Sequence, residues 1–180
     1  GLTQTDGRHM NIDAVVGLVA ELNHHTKFVL TPMRGHYNVA GANTVTTWQT
    51  GYPYAVDFSR GYPRYNPGEY TAVDMLARGE PDAAIIIASD PAASFPANAA
   101  KHLAKIPTII LDQKVSPTTM LSEVVIPVAT AGIEVEGTAY RMDGFSLRLS
   151  KVVEPQSGIK SDREVLEMII DRVKTLKEDA

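Results

Sequence analysis

Three short apolar segments, separated by helix-like segments, constrain the fold of this 180-residue chain more than any other feature. They are residues 82–88 (DAAIIIA), 108–111 (TIIL) and 123–128 (EVVIPV). Strands that are apolar throughout, rather than in alternation, are typical of a parallel sheet buried on both faces. Residues 70–78 and 96–105 are predicted to be helices, because each is closed by a following glycine or proline. The order predicts an α/β fold: a Rossmann-like half domain with a right-handed crossover and helices on both faces of the sheet.

The two ends of the chain have other patterns. Residues 11–22 are predicted to form a helix capped by Asn11, and residues 27–31 (KFVLT) a strand. Near the other end, the Asp-Gly pair at 143–144 predicts a hairpin turn, and residues 161–176 an amphipathic helix. We therefore divide the chain into a helix–strand segment at 1–35, an α/β portion at 36–130, and a C-terminal hairpin and helix at 131–180.

Residues 32–68 differ from the rest in composition. They contain five glycines, four prolines and five of the seven tyrosines. A long connection without regular periodicity is uncommon in a compact domain and is more often functional than not. Its aromatic content argues against disorder, because disordered segments contain few aromatic residues.

The overall charge and the absence of cysteine exclude several functions. A net charge of −4 disfavours binding to nucleic acid or to an anionic membrane. No apolar run reaches the ~20 residues that a membrane helix requires, and residues 1–4 do not resemble a signal peptide. Without cysteine, these residues form no disulfide, thiolate zinc site or cysteine-bound iron–sulfur cluster. We expect a cytoplasmic protein.

Polar side chains follow two of the predicted strands. Ser89 and Asp90 come after the first strand, and Asp112 and Gln113 come after the second. Ligands bind beyond the carboxyl ends of the strands in open parallel sheets. A carboxylate at that edge accepts hydrogen bonds from a ribose hydroxyl or from a guanine N–H edge. The alternative is that these acids form ordinary turns or helix caps.

The loop RGHYNVAGAN at 34–43 is a second candidate site. Arg34 has the planar guanidinium that suits a carboxylate or phosphate, and Gly41 permits close approach of the backbone to a ligand. The alternative is a surface loop whose arginine pairs with a nearby acid. The loop is not a P-loop, and the chain lacks the glycine fingerprint of NAD-binding domains, which disfavours a Rossmann-type dehydrogenase.

Other acidic and histidine pairs are weaker candidates. His24 and His25 are adjacent at a predicted helix end, where solvated histidines suit the helix dipole. Glu134 and Glu136 could share one strand face as a catalytic pair, although a solvated strand is the favoured explanation. No Ser/His/Asp arrangement can be defended from residue order alone.

Several motifs occur in an order that resembles one enzyme family. RGHYNVAGAN (34–43), IIIASDP (85–91) and TIILDQKVSPTTMLSEVVIPVATAGIEVEGTAYRMDG (108–144) are similar to motifs of molybdopterin-dinucleotide oxidoreductases related to formate dehydrogenase. The first loop, followed by TGYPYAVDFSRGYPRYNPGEY, resembles more narrowly the C-terminal part of the catalytic subunits of formylmethanofuran dehydrogenases from methanogenic archaea. The resemblance extends over nearly the whole chain.

The resemblance implies a function and site residues. Family members reduce carbon dioxide to formate at tungsten or molybdenum, which is held by two molybdopterin guanine dinucleotides, and a partner subunit couples formate to methanofuran. By position, Arg34 matches the arginine beside the metal. Residues that match cofactor contacts are Asn38, Gly41, Ala42, Asn43, Ser89, Asp90, Asp112, Gln113 and Thr118.

The resemblance also implies what this chain lacks. The family's iron–sulfur cysteines and metal-binding cysteine belong to an N-terminal part, so we expect no metal ligand here and no activity of the isolated chain. The expected partners are the other subunits of the enzyme. The chain alone is expected to self-associate through an edge strand or apolar surface that the family's earlier residues normally cover. The alternative function is a noncatalytic nucleotide-binding or assembly module with the same sheet.

Overall fold

A computed structural model of the chain describes residues 6–179, apart from the side chain of Arg8. The polar residues 1–4, considered above as a possible leader, lie outside the described residues. The elements of the chain, in order, are α1 (Arg8–Asn23), α2 (Val39–Thr50), β1 (Val56–Asp57), β2 (Arg64–Tyr65), α3 (Ala72–Arg78), β3 (Ala84–Ile87), α4 (Pro91–Ser94), α5 (Ala97–Leu103), β4 (Thr108–Asp112), α6 (Pro117–Leu121), β5 (Val124–Pro127), β6 (Gly137–Tyr140), β7 (Ser146–Leu149) and α7 (Asp162–Glu178).

The chain divides into two compact units, one comprising residues 1–37 and the other residues 38–180. The division at residues 35 and 130 that we inferred from composition stays a prediction. In the part of the chain that the structure describes, no helix is both long and apolar enough to cross a lipid bilayer.

The second unit contains the predicted parallel sheet. Its strand order is β3-β4-β5, and both pairs are parallel. Isoleucine and valine fill these strands because branched side chains pack well on a pleated, buried surface. The three strands, and the helices that connect them, confirm the α/β fold predicted from the sequence.

Helices cover both faces of this sheet. On one face, Ala84 and Ile86 of β3 pack with Leu76 of α3 and with Ala99 and Leu103 of α5. On the other face, Leu111 of β4 packs with Val165 of α7 and with Val128. Alternation along β4 assigns successive side chains to opposite faces, so that both faces of the central strand are buried.

One part of the sheet surface is not covered. Ile85 and Ile87 of β3 are 55% and 42% exposed. They pair in register with Ile109 and Leu111, whose side chains pack on the α7 side. The α7 layer therefore covers β4 and Ile126 of β5 but leaves the same face of β3 open.

Side-chain caps fix where the helices begin. Thr71 accepts a hydrogen bond from the Asp74 amide at the start of α3, and Gly79 ends that helix in the left-handed conformation. Ser116 and Ser161 each form a capping box, at α6 and α7 respectively. The second of these begins the amphipathic helix that the sequence predicts at residues 161–176.

Two predictions for the first unit are wrong. Helix α1 begins at Arg8 after Gly7, so Asn11 lies inside the helix and does not cap it. Residues 27–31 form no strand: Phe28 and Val29 are exposed, and the backbone of Phe28 is bonded to the Asn23 side chain instead. An isolated apolar segment without a partner strand has no hydrogen-bonding ladder to join.

Residues 32–68 contain more regular structure than we predicted. They include the twelve-residue helix α2 and the short antiparallel pair β1–β2. In α2, threonine hydroxyls at positions 44, 46, 47 and 50 donate to the carbonyl four residues earlier. Threonine is a weak helix former, which is why composition did not indicate this helix.

Residues 51–71, called the aromatic segment below, are held by side-chain contacts. Tyr52 stacks on Tyr65 with ring centroids 5.0 Å apart, and Tyr54 meets Tyr65 edge-on. Arg64 forms an ion pair with buried Asp57 and lies 4.8 Å over the Tyr70 ring. Charge pairing and ring contacts therefore replace an aliphatic core in this segment.

Candidate functional site

The carboxyl ends of the three parallel strands lie in register. Ile87 pairs with Leu111, Leu111 pairs with Ile126, and Asp112 pairs with Pro127. The Ala88 amide continues the ladder by donating to the Leu111 carbonyl at 2.8 Å. The structure thus places the chain that follows β3 and the chain that follows β4 at one edge of the sheet, where ligands of open α/β sheets bind.

The backbone turns sharply where β3 leaves the sheet. Ala88 has φ +47°, in the left-handed region that residues with a Cβ rarely adopt. Such a conformation costs about 1–3 kcal/mol and is concentrated at functional sites. No sequence signal indicated it, because alanine at the end of an apolar strand has no turn propensity. The turn directs Ser89 and Asp90 away from the strand, and Ser89 is exposed.

Asp90 is locked in place by Thr118. The Thr118 hydroxyl donates to Asp90 Oδ1 at 2.6 Å, and the Thr118 amide donates to the same oxygen at 3.1 Å. The Thr118 hydroxyl also accepts from the Ala92 amide at 3.0 Å. These bonds join the loop after β3 to the start of α6. Asp90 Oδ2 accepts no hydrogen bond from the described residues.

The environment of Thr118 favours a supporting role over direct contact with a ligand. Its side chain is fully buried, at 0% exposure. Both hydrogen-bonding functions of its hydroxyl are used within the protein. Our sequence-based prediction that Thr118 touches a cofactor therefore gains no support from this geometry, whereas Asp90 keeps one carboxylate oxygen available.

Asp112 forms the turn after β4. Its Oδ1 accepts from the amides of Gln113 and Lys114, at 2.7 Å and 3.3 Å. The residue is 7% exposed, while Gln113 is exposed. Aspartate is favoured here because its side chain can bond to backbone amides of the next residues. The turn that we weighed as the alternative to a binding role is therefore present, and it uses one of the two carboxylate oxygens.

A cavity opens beside this edge. Its volume is about 380 Å³, and residues following both β4 and β5 contribute to it, including Gln113, Val128, Glu134, Gln156 and Ile159. Pockets for small ligands typically measure about 300–1,000 Å³. A larger cavity of about 460 Å³ lies between β5 and α7. Its lining is apolar apart from Lys160 and Arg172, whose side chains offer no hydrogen-bond acceptor to a base or a ribose.

The second candidate, residues 38–43, begins helix α2. Asn38 adopts the left-handed conformation and makes no capping bond to its own helix. Its Nδ2 donates to the Thr138 carbonyl at 3.1 Å, and its Oδ1 accepts from the Tyr140 amide at 2.8 Å. The structure therefore joins this loop to strand β6. Gly41 is buried, Ala42 is exposed and Asn43 is partly buried.

Arg34 belongs to the first compact unit, in an irregular segment, and its side chain is exposed. Its predicted position beside a reacting carboxylate, and with it the proximity of Arg34 to Asp90 and Asp112, stays a prediction.

The weaker candidates have structural partners or no metal-binding geometry. Glu134 accepts from the Thr130 amide, and Glu136 pairs with Arg148, so the two glutamates are held by different groups. His24 and His25 lie in the turn after α1. Within residues 6–179, no group of three or more histidine, aspartate or glutamate side chains could hold a metal ion.

Two of the carboxylates with lowered pKa values, Asp57 and Asp143, belong to ion pairs outside the parallel sheet. The pKa of Asp57 is lowered, chiefly because its carboxylate accepts from the Ser59 amide, with Arg64 adding a further hydrogen bond. In the hairpin turn, Arg141 lowers the pKa of Asp143 to about 2. Both are ion-paired structural groups, and they give no indication of acid–base catalysis.

Comparisons with known proteins identify relatives of the chain. No protein-family model matches the chain. It is 58% identical, over 98% of its length, to the B subunit of tungsten-containing formylmethanofuran dehydrogenase 2 of Methanocaldococcus jannaschii, and 52% identical over 98% to the protein of that name from Methanococcus maripaludis. It covers 40% and 41% of those two proteins. Over 46% of its length it is 29% identical to the B subunit of the formyltransferase/hydrolase complex Fhc of Methylorubrum extorquens.

A solved structure shares the fold. The crystal structure of the formyltransferase/hydrolase complex FhcABCD from Methylorubrum extorquens, in complex with methylofuran, contains a chain that superposes with a TM-score of 0.75. The match has 25% sequence identity and covers 93% of this chain and 46% of that one. The high identity over nearly the whole sequence and the shared fold agree with each other. The chain is therefore homologous to part of the B subunit of formylmethanofuran dehydrogenase, an enzyme subunit, and spans about 40% of the length of the relatives named above.

Proposed function

We propose that the carboxyl edge of the sheet holds a dinucleotide arm of a tungsten-pterin cofactor. The carrying observation is that the carboxyl ends of β3 and β4 lie in register, with Asp90 three residues beyond β3, Asp112 at the end of β4, and a cavity beside Gln113. Each carboxylate has one oxygen bonded within the protein, and the second can accept from a guanine N–H edge or from a ribose hydroxyl. The exposed Ser89 hydroxyl and Gln113 amide supply further polar contacts.

The residues present fit the nucleotide part of such a cofactor and not its metal. Carboxylate oxygens at a strand edge suit hydrogen-bond donors of a base or a ribose. No described cluster of side chains suits a metal ion, and the chain has no cysteine. Tungsten would therefore be bound by the pterins and by residues outside this chain.

We further propose that the complete subunit reduces carbon dioxide to formate for the synthesis of formylmethanofuran, with other subunits as partners. The relatives are named as tungsten-containing formylmethanofuran dehydrogenase subunits, which supports this assignment. When bound, the tungsten-pterin would supply the two-electron chemistry. In this chain, Arg34 would orient the bound carboxylate through charge-assisted hydrogen bonds, and the sheet edge would hold the nucleotide. The chain alone would be inactive.

The test compares cofactor content and carbon dioxide reduction in the complete enzyme complex. Asp112→Asn keeps an acceptor for the turn amides but removes the charge, so we expect cofactor retention to weaken ~10-fold or more. Asp82→Ala is the matched control, because Asp82 is exposed and precedes β3 at the opposite edge. Full cofactor content in Asp112→Asn and in Asp112→Ala would refute the nucleotide contact, and would favour the assembly module.

Arg34→Ala separates catalysis from binding in the same complex. Removing one donor that stabilises a reacting carboxylate typically lowers the rate by ~100-fold or more. We expect that loss of turnover with the cofactor retained. Normal turnover in Arg34→Ala would exclude the catalytic assignment while leaving the proposal for Asp112 intact.

A further inference from the structure

Asn38 is bonded to a strand that lies a hundred residues further along the chain. Its amide donates to the Thr138 carbonyl at 3.1 Å and accepts from the Tyr140 amide at 2.8 Å. Strand β7 pairs with the other edge of β6, in the register of Thr138 with Arg148 and Tyr140 with Ser146. The Asn38 side chain therefore bonds to the edge of β6 that β7 leaves free. It donates one hydrogen bond and accepts one, as a residue of a neighbouring strand would.

The local backbone favours asparagine at this position. Asn38 has φ +53°, and asparagine tolerates the left-handed conformation better than most residues with a side chain. An asparagine before a helix usually caps it by accepting from the second or third amide. Here the amide instead faces β6 and makes no capping bond to α2.

Gly41 makes room for this side chain. A Cβ added at Gly41 would lie 2.4 Å from Asn38 Oδ1 and 2.8 Å from Asn38 Cγ. Contacts below 3.0 Å require one group to move, and the Asn38 amide is held by two hydrogen bonds. The spacing of asparagine and glycine in this loop therefore has one physical explanation: the glycine leaves the amide free to reach β6.

We infer that Asn38 is a positioning residue: its side chain holds the start of α2 against β6 and does not itself contact the cofactor. This rests on the proposed function insofar as residues 38–43 contribute to the cofactor site. One N–H and the oxygen of the amide are bonded to the backbone of β6, so the side chain is held against that strand, and we expect a ligand to meet the backbone and neighbouring side chains of the loop. The sequence-based assignment of Asn38 as a cofactor contact changes accordingly.

The first measurement is hydrogen exchange of the peptide spanning residues 138–140, by mass spectrometry, in the complete enzyme complex. Asn38→Gly keeps the left-handed backbone and removes both amide bonds. We expect exchange of the Tyr140 amide to become about threefold faster or more. Asn38→Asp retains an acceptor for that amide but loses the donor to the Thr138 carbonyl, and should restore part of its protection. Asn98→Gly and Asn98→Asp, at an exposed site in α5, control for composition and charge.

The second measurement is a double-mutant cycle with Gly41. Gly41→Ala alone displaces the Asn38 amide and should accelerate Tyr140 exchange as Asn38→Gly does. In the Asn38→Gly background the side chain nearest to that alanine is absent, so the alanine should add little and the two effects should not sum. Additive effects, or unchanged exchange in Asn38→Gly, would overturn the inferred contact.

Cofactor content in the same samples distinguishes positioning from contact. If Asn38 positions the loop, cofactor loss should follow the order of exchange rates, with Asn38→Gly most affected and Asn38→Asp partly rescued. Cofactor loss in Asn38→Asp with normal exchange would show direct contact and overturn the inference. The Asp112 variants test the proposed function separately: if they lose cofactor while Asn38→Gly keeps it, only the positioning role fails.

Discussion

The parallel sheet and the aromatic segment belong to the same compact unit but are stabilised by different kinds of contact. The sheet is centred on Ile110 and Leu111, which are fully buried, so its stability derives chiefly from apolar burial. The aromatic segment depends on the Asp57–Arg64 ion pair and on stacked tyrosine rings. Apolar burial is insensitive to pH, whereas an ion pair requires a charged carboxylate. The two regions should therefore respond differently to truncation and to acid.

The largest effect is expected in the centre of the sheet. Leu111→Ala removes a fully buried side chain from the contact between β4 and α7, and such changes reduce the free energy of unfolding by about 2–5 kcal/mol. Ile85→Ala, on the paired strand, removes a side chain that is 55% exposed and should have a much smaller effect. Denaturant unfolding of the two variants measures this difference, and equal losses would show that β3 is covered in solution.

Thr118 should rank next, because it joins the loop after β3 to the start of α6 without contributing to the apolar core. Thr118→Val preserves shape but leaves the Ala92 amide and Asp90 Oδ1 without its hydroxyl. A buried polar group that loses its partner costs about 1–3 kcal/mol. Thr118→Ser retains the hydroxyl and should recover most of that loss in the same unfolding experiment. Thr175→Val, at an exposed position of α7, is the control. Equal destabilisation by valine and serine would contradict the role given to the hydroxyl.

A smaller and local effect is expected in the aromatic segment. Arg64→Met removes the partner of Asp57 and the cation above Tyr70. We expect loss of the near-ultraviolet signal of the tyrosine cluster while the global unfolding midpoint changes less than in Leu111→Ala. A shift as large as that of Leu111→Ala would mean that the segment and the sheet unfold as one.

The smallest effect is the response of this segment to acid. Folding lowers the pKa of Asp57 below its ordinary value of 3.8. Its contribution is therefore fully present above that value and is lost as the pH falls through the lower folded-state pKa. The tyrosine signal should decline only below about pH 4, and Asp57→Asn should abolish that step. A transition near neutral pH would contradict the assignment.

The exposed isoleucines of β3 bear on the expected self-association. Ile85 and Ile87 lie on an edge strand, and exposed apolar edges favour association. We expect the chain alone to form dimers or larger species, and the double variant Ile85→Ser, Ile87→Ser to reduce them. Sedimentation at high protein concentration measures both, and a strictly monomeric parent chain would refute the expectation.

The sheet could be predicted from the sequence because its signal is local. The three strands are short, mostly apolar segments that contain branched side chains: residues 84–87, 108–112 and 124–127. The middle segment pairs with a strand on each side, and the other two each pair with it. Residues 27–31 are also mostly apolar but have no partner strand, and the amino acids of that segment alone do not reveal whether a partner exists. Helix α2 was missed because its threonines bond to its own carbonyls, a contact that propensity does not represent.

The candidate site was predicted less completely than the sheet. The strand-end rule located Asp90 and Asp112 because chain order determines which edge they reach. The rule could not show that Thr118, which lies 28 residues further along the chain, holds Asp90 in place rather than contacting a ligand itself. Asn38 and Tyr140 are separated by 102 residues, so no local pattern could indicate their hydrogen bond. Contacts of this range require the fold itself.

Because the ends of the parallel strands lie in register, the position of Asp112 depends on the number of residues that precede it in β4. Successive side chains alternate between the faces of β4, so a deletion of one residue before Leu111 would reverse the phase of every later side chain. Leu111 would exchange its packing against α7 for the layer of α3 and α5, and the carboxylate would leave the strand one step early. A substitution at the edge of the sheet tests a single contact, whereas the alternation of side chains along β4 determines every contact of the strand. The strand therefore tolerates exchange among similar apolar residues far better than any change in its length.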